Sequence, residues 1–292
     1  MKNIKNMHLS IWSELQKSIL NIGFVGAIVI TFTLCFATEV YNDPTNDKAY
    51  SVFEMIFSSD SEILLSQLSM SSIMVFEKAL NGYGNMFLPI VASFPFVVCF
   101  CAERNSGYMR FSISRSGKIR YYISKFISCI LSGGLAVMFG VLLFGVAADL
   151  IFPGIESYSA MQDSISAFYP DGMMIVVVKK LISAMLHGIF ATLPAFLICS
   201  FCRNPYMILC LPFLFTYMWE TLINKFTLAG FEQGDFNVFN TIAPYSPYSA
   251  ADLLYPLETE RLIPTLIVNI LLILIALTGF ILFMNKRTDR GC

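Results

Sequence analysis

The chain has 292 residues, 56% of them hydrophobic and 13% charged, where soluble globular proteins are about 45–50% apolar and about 25% charged. Its formal net charge is −1 and its mean hydropathy +0.67. This balance excludes a water-soluble fold of this length, because too little polar surface remains to cover it, so lipid must cover part of the chain.

The first nineteen residues carry Leu9, Trp12, Leu15 and Ile19 at helical spacing, with Lys5, Glu14 and Lys17 elsewhere around the wheel. That pattern predicts a helix lying in the membrane interface or, equally, an extension of the first span. Cys35-Phe36-Ala37 resembles a weak secretory cleavage site, but the basic lead is too long for a signal peptide, so the segment is read as retained. A hydrocarbon core needs roughly 20 apolar residues in a helix. Six stretches meet that length, at 20–37, 85–102, 126–148, 181–202, 205–223 and 263–284. The chain therefore reads as one transmembrane domain, an all-α membrane protein of six helices. Segment 38–84 opens on the turn-rich YNDPTND, and the apolar residues that follow predict one or two helices. Lys179 and Lys180 precede the fourth span and are expected to snorkel outward. Only Arg203 and Asn204 join the fourth and fifth spans, and Asn204-Pro205 favours a tight turn. Segment 225–262 is aromatic, and Pro244, Pro247 and Pro256 predict short helices or re-entrant turns.

Orientation follows from the basic residues beside the spans. The N-terminal segment, 103–125, the Arg203 turn and the C-terminal tail hold 13 of the 19 Lys and Arg but only three of the 20 acids. These segments carry +10 and the remainder −11, which places both termini in the cytoplasm.

Cytoplasmic segment 103–125, ERNSGYMRFSISRSGKIRYYISK, is longer than a turn requires. It has room for a short helix, with Phe111, Ile113 and Ile119 as apolar knobs and arginines to fix register, as a docking element needs. Glu-Arg-x-x-Gly-x-x-Arg, followed by Ser-Arg-x-Gly-Lys and the lysine at 125, resembles the coupling-helix loop of ATP-binding-cassette permeases of the ABC-2 (type-2 exporter) class. The 197–206 hairpin, the leading surface helix and the long first outer loop are similar as well. Tyr108 departs from the pattern, where a small residue is common. The resemblance implies a permease subunit of an exporter in the plasma membrane of a bacterium, paired with a second permease subunit in a homo- or heterodimer. It implies a cytoplasmic ABC ATPase partner that holds the ATP and magnesium, with Glu103, Gly107, Arg110, Arg115 and Lys118 in the coupling loop.

Other chemistry finds little support. No G-x-x-x-x-G-K-[ST] phosphate loop occurs. Leu131-Ser132-Gly133-Gly134 imitates an ATPase signature inside the third span, where small residues instead let helices pack. His8 and His187 are the only histidines, too few for an ordinary metal site. The C-x-x-C at Cys199 and Cys202 and the C-x-C at Cys99 and Cys101 lie at span ends without a nearby histidine. Neither catalysis, a bound cofactor nor a nucleic-acid partner is expected of this chain. Glu220, near the outer end of the fifth span, and His187 are candidates for a substrate pathway; water contact and helix packing are their plainer roles. The rival functional readings are an ATP-independent transporter or channel, and a regulatory or scaffolding membrane protein.

Overall fold

A computed structural model describes residues 2–43, 48–57, 68–158, 172–232, 237–252, 254 and 262–288. The described chain is mostly helical. Five helices are long and apolar enough to cross a membrane: α5 (Tyr83–Asn105), α7 (Lys118–Ile151), α8 (Met173–Cys199), α9 (Pro205–Glu232) and α11 (Leu262–Thr288). They mark a multi-pass membrane protein. A sixth crossing is available from α1 (Lys2–Ile19) and α2 (Ile22–Phe36), which meet at a bend of 59°. The bend has a local cause. Asn21 leaves the helical conformation, and its carboxamide accepts the Gly23 N–H at 3.3 Å, capping a new helix. The 15-residue α2 is about 22 Å long at 1.5 Å per residue, short for a hydrocarbon core of about 30 Å.

Helix α7 is the central pillar, packing against α1, α2, α5 and α8. Its 34 residues reach about 51 Å, well beyond the bilayer core. Its small residues set the approach of its neighbours. A Cβ on Gly133 would stand 2.6 Å from the Ala92 carbonyl oxygen of α5 and 2.3 Å from Thr192 Cγ2 of α8. One on Gly134 would meet the Met185 carbonyl at 2.8 Å, and one on Gly140 would meet Thr31 of α2 at 2.5 Å. The Ser-Gly-Gly run is thus a helix-packing surface, as expected of small residues in lipid.

At the acid-rich end, β1 (Glu39–Asp43) and β2 (Lys48–Ser51) form an antiparallel pair, with Tyr41 opposite Tyr50 and their rings stacked 6.4 Å apart. Sequence reading anticipated a turn here but no strands. Helix α3 (Val52–Phe57) starts on a capping box, in which Ser51 Oγ accepts the Glu54 N–H while the Glu54 carboxylate accepts the Ser51 N–H. With α4 (Ser72–Glu77) it forms the predicted helices of this segment. Together they close one apolar core over the ends of α2, α7 and α8, containing Met70, Phe76, Phe144 and Phe152.

That roof corrects the reading of the fourth span. Its helix begins at Met173 rather than near 181, and Lys180 is only 2% exposed. Lys180 does not snorkel to open solvent, because protein rather than headgroups covers it; its ammonium lies within electrostatic reach of Cys35 at the end of α2. In the last outer segment, α9 runs on to Glu232, followed by α10 (Asn237–Ile242) and 3-10 turns at Ala243–Tyr245 and Ser249–Asp252. These are the short helices its prolines predicted; Phe236, Tyr255 and Pro256 lie outside the described residues.

The basic segments gather at the opposite end. Met7 of α1, Lys118 of α7 and Asn285 of α11 line one groove there, and Phe201 beside the α8–α9 turn packs on Phe283 with ring centroids 5.7 Å apart. An aromatic core lies beneath, where Phe196 stacks on Phe280 at 4.1 Å.

Candidate functional site

At this basic end, α1 turns its polar face inward. Ser10, Glu14 and Ser18 recur every four residues and so share one face; Glu14 and Ser18 are 6% and 3% exposed. They meet Ser124, Lys125 and Ser128 of α7. Ser124 Oγ donates to Ser10 Oγ at 3.0 Å, Ser128 Oγ donates to the Glu14 carbonyl at 3.0 Å, and the Ser18 and Ser128 hydroxyls lie 2.9 Å apart. The opposite face of α1 carries Leu9 and Trp12, 63% and 59% exposed. A helix that buries its polar stripe and exposes its apolar one is built to lie against lipid.

Four charges alternate at the centre of this seam. Lys125 Nζ, on a side chain 3% exposed, donates to the carboxylates of both Glu14 and Glu103. Lys17 Nζ donates to the same two, at 2.9 Å to Glu14 and 3.2 Å to Glu103. The Tyr121 hydroxyl adds a third donor to Glu103 at 3.4 Å. Burial by itself would raise the Glu14 pKa, but Lys125 and Lys17 outweigh it and hold the carboxyl below its ordinary 4.5. For Lys17, burial pulls downward and is outweighed by its hydrogen bonds and charge contacts to Glu14 and Glu103, so its pKa is raised above 10.5.

The linkage signs follow from these two directions. Glu14, depressed in the fold, stabilises above pH 4.5 and loses that contribution as pH falls through its folded value. Lys17, raised in the fold, stabilises fully below pH 10.5 and loses its contribution as pH rises through its folded value. A stability plateau bounded by about these values is expected in thermal melts of the purified chain, and Glu14→Gln should flatten the acid limb. An unchanged acid limb in that variant would remove Glu14 from the cluster's energetics.

Helix α6 (Tyr108–Ser116) hangs from this cluster. Gly107, at φ +71° and ψ 2°, ends α5 in the left-handed conformation that glycine adopts without penalty. Gly117, at φ +86° and ψ 148°, separates α6 from α7 in a backbone region essentially restricted to glycine. Between these two breaks no residue of α6 is buried. Met109 and Ile113 rest against the aromatic core, whereas Tyr108 and Phe111 are 49% and 74% exposed, beside exposed Arg110 and Arg115. The Lys17 ammonium sits 5.1 Å from the centre of the Tyr108 ring, a cation–π contact tying α6 to the four charges. Arg104, next to Glu103, donates from Nη1 to the carbonyls of Cys199, at 2.8 Å, and Cys202. A cation there satisfies carbonyls at the end of α8 and pins α5 to the α8–α9 turn.

The residues singled out from sequence thus divide. Gly107 is a helix-terminating turn, and Arg110, Arg115 and Lys118 are exposed on α6 and the first turn of α7. Glu103 belongs to the inner ion cluster instead of the exposed face. Sequence reading passed over the pairing roles of Glu14, Lys17, Lys125 and Arg104. The four-residue recurrence of Ser10, Glu14 and Ser18 was the available signal. Among the described residues no group of His, Cys, Asp and Glu is placed to hold a metal ion.

His187 and Glu220 lie toward the other end. His187 is 2% exposed, its ring edge-on to Tyr248 at 6.5 Å, and it lines a cavity of about 160 Å³ between α5, α8, α9 and α11. Burial, with Glu220 and Tyr217 nearby, pushes the Tyr248 phenol up to about 12, so it stays neutral. Glu220 does not line that cavity; its carboxylate accepts the Ser246 hydroxyl and fastens the last outer segment to α9. Comparison of the chain with protein-family models, with curated proteins and with solved structures returns no match.

Proposed function

We propose that this chain is the membrane-spanning permease subunit of an ATP-binding-cassette exporter of the ABC-2 type. This reading counts α2 as a short first span, for six crossings in a bacterial plasma membrane, and the excess of basic residues at one end supports cytoplasmic termini. The observation that carries the reading is α6, a nine-residue helix bracketed by two glycine breaks, with Phe111 and two arginines facing outward. Such an element suits docking into a groove on a separate cytoplasmic ATPase, which would bind ATP and magnesium. Lys17, Glu14, Glu103 and Lys125, whose shared ion pairs join α1, α5 and α7, would then carry its displacement to those helices. A second permease subunit, identical or related, completes the transporter. The cavity among the helices is lined by no Asp, Glu, Lys or Arg among the described residues, which favours a nucleotide-driven machine over a carrier coupled to an ion gradient.

The test is affinity capture of the tagged chain from its native membranes. A soluble ATPase with a phosphate loop should accompany it, and Arg110→Glu with Arg115→Glu should lower its recovery by at least about tenfold, as expected for reversed interfacial charges. Undiminished recovery and undiminished transport-linked hydrolysis in that double variant would remove α6 as the coupling element.

A further inference from the structure

The cavity between α5, α8, α9 and α11 is assigned no part in coupling, yet it is built like a ligand site. Its volume of about 160 Å³ compares with the roughly 150 Å³ that accommodates a benzene ring in a protein interior. Phe190, Phe215 and Trp219 supply aromatic wall, and Phe215 and Trp219 meet edge-on with centroids 5.8 Å apart. The lining carries no Asp, Glu, Lys or Arg, so a charged guest would lose its hydration without compensation.

The polar side chains in the lining are Asn85, His187, Thr216, Tyr248 and Asn269. Thr216 spends its hydroxyl proton on the Pro212 carbonyl at 3.0 Å, and Asn269 Nδ2 donates to the Thr265 carbonyl at 2.9 Å, both within their own helices. Asn85, in the first turn of α5, is different. Its Oδ1 is buried and has no hydrogen-bond partner among the described residues. An orphaned carboxamide oxygen at the edge of an aromatic cavity calls for a donor from whatever fills the space.

We propose that this cavity binds a small uncharged molecule combining one hydroxyl with a compact apolar body, the chemistry of a phenol. The hydroxyl donates to Asn85 and the apolar body lies between Phe190, Phe215 and Trp219. The site is contained within a single chain and does not depend on the permease reading.

Trp219 reports on the site directly, since the chain has only two tryptophans and Trp12→Phe leaves it as the sole emitter. In that background, reconstituted in lipid nanodiscs, phenol and toluene should each change Trp219 emission saturably, and benzenesulfonate should not. Asn85→Leu should weaken phenol about 2- to 12-fold, the worth of one net hydrogen bond, and leave toluene unchanged. Filling the space with Ala276→Phe or Ala191→Leu should abolish both responses. Two such variants, each checked for monodispersity, keep the test valid should one fail to assemble. A purely linear response in the parent protein, an equal effect of Asn85→Leu on both probes, or a saturable response in a filled variant would overturn the proposal. None of these outcomes bears on whether an ATPase docks at α6.

Discussion

Lys125→Met is expected to destabilise the chain by about 3 kcal/mol, because it removes the buried cation shared by the buried carboxylate of Glu14 and the partly buried one of Glu103. Methionine conserves most of the volume, so the loss reports charge rather than packing. Lys17 does not compensate. Its side chain is 40% exposed, and it already engages both acids. The diagnostic experiment is a double-mutant cycle with Glu14→Gln, read as free energies from reversible denaturant titration in mixed micelles. If the ions act as a unit, the double variant will recover part of what Lys125→Met loses, with a coupling energy well above the roughly 0.3–0.5 kcal/mol within which independent sites add. Additive losses would show that the four charges are neighbours without being a network. α1 would then be held by its serine hydrogen bonds and by lipid alone.

A comparable effect is expected from Gly133→Val, about two turns farther along α7. Its added Cβ would sit 2.6 Å from the Ala92 carbonyl oxygen and 2.3 Å from the Thr192 methyl. A side-chain tip could swing away, whereas a backbone oxygen within α5 cannot. Relief therefore requires α5 or α8 to move from α7, which places the cost at or above the 1–3 kcal/mol typical of overpacking. Thermal melts should fall clearly below those of Gly26→Ala, a control position where an added Cβ meets nothing within 4 Å. Equal melting of the two variants would mean that the three helices are not packed as closely as described.

Both predictions concern α7, and the two stretches of it were legible to different degrees. Small residues within an apolar run announce close packing whatever their partners, so the Ser-Gly-Gly segment was readable from local composition. The same held for α6, whose glycines at 107 and 117 bracket a segment with turn signals at both ends. The ion cluster was not readable in this way. Glu14 and Lys125 are separated by 111 positions, and on a basic segment each looks like one more solvated charge. Their attraction exists only once α1 folds back along α7, which the Asn21 cap and the serine seam make possible.

Lys180 makes the same point from the other side. A lysine at the end of an apolar run snorkels when headgroups surround it, but here the fold buries it, leaving Lys180 2% exposed. What the sequence determined without help is governed by transfer free energy and period: residence in lipid, the apolar helices, the uneven charge between the two ends, and a short helix between α5 and α7. Tertiary structure decided which charges are buried and which are presented. Burial depends on neighbours distant along the chain, and electrostatic interactions gain strength only after those neighbours exclude water.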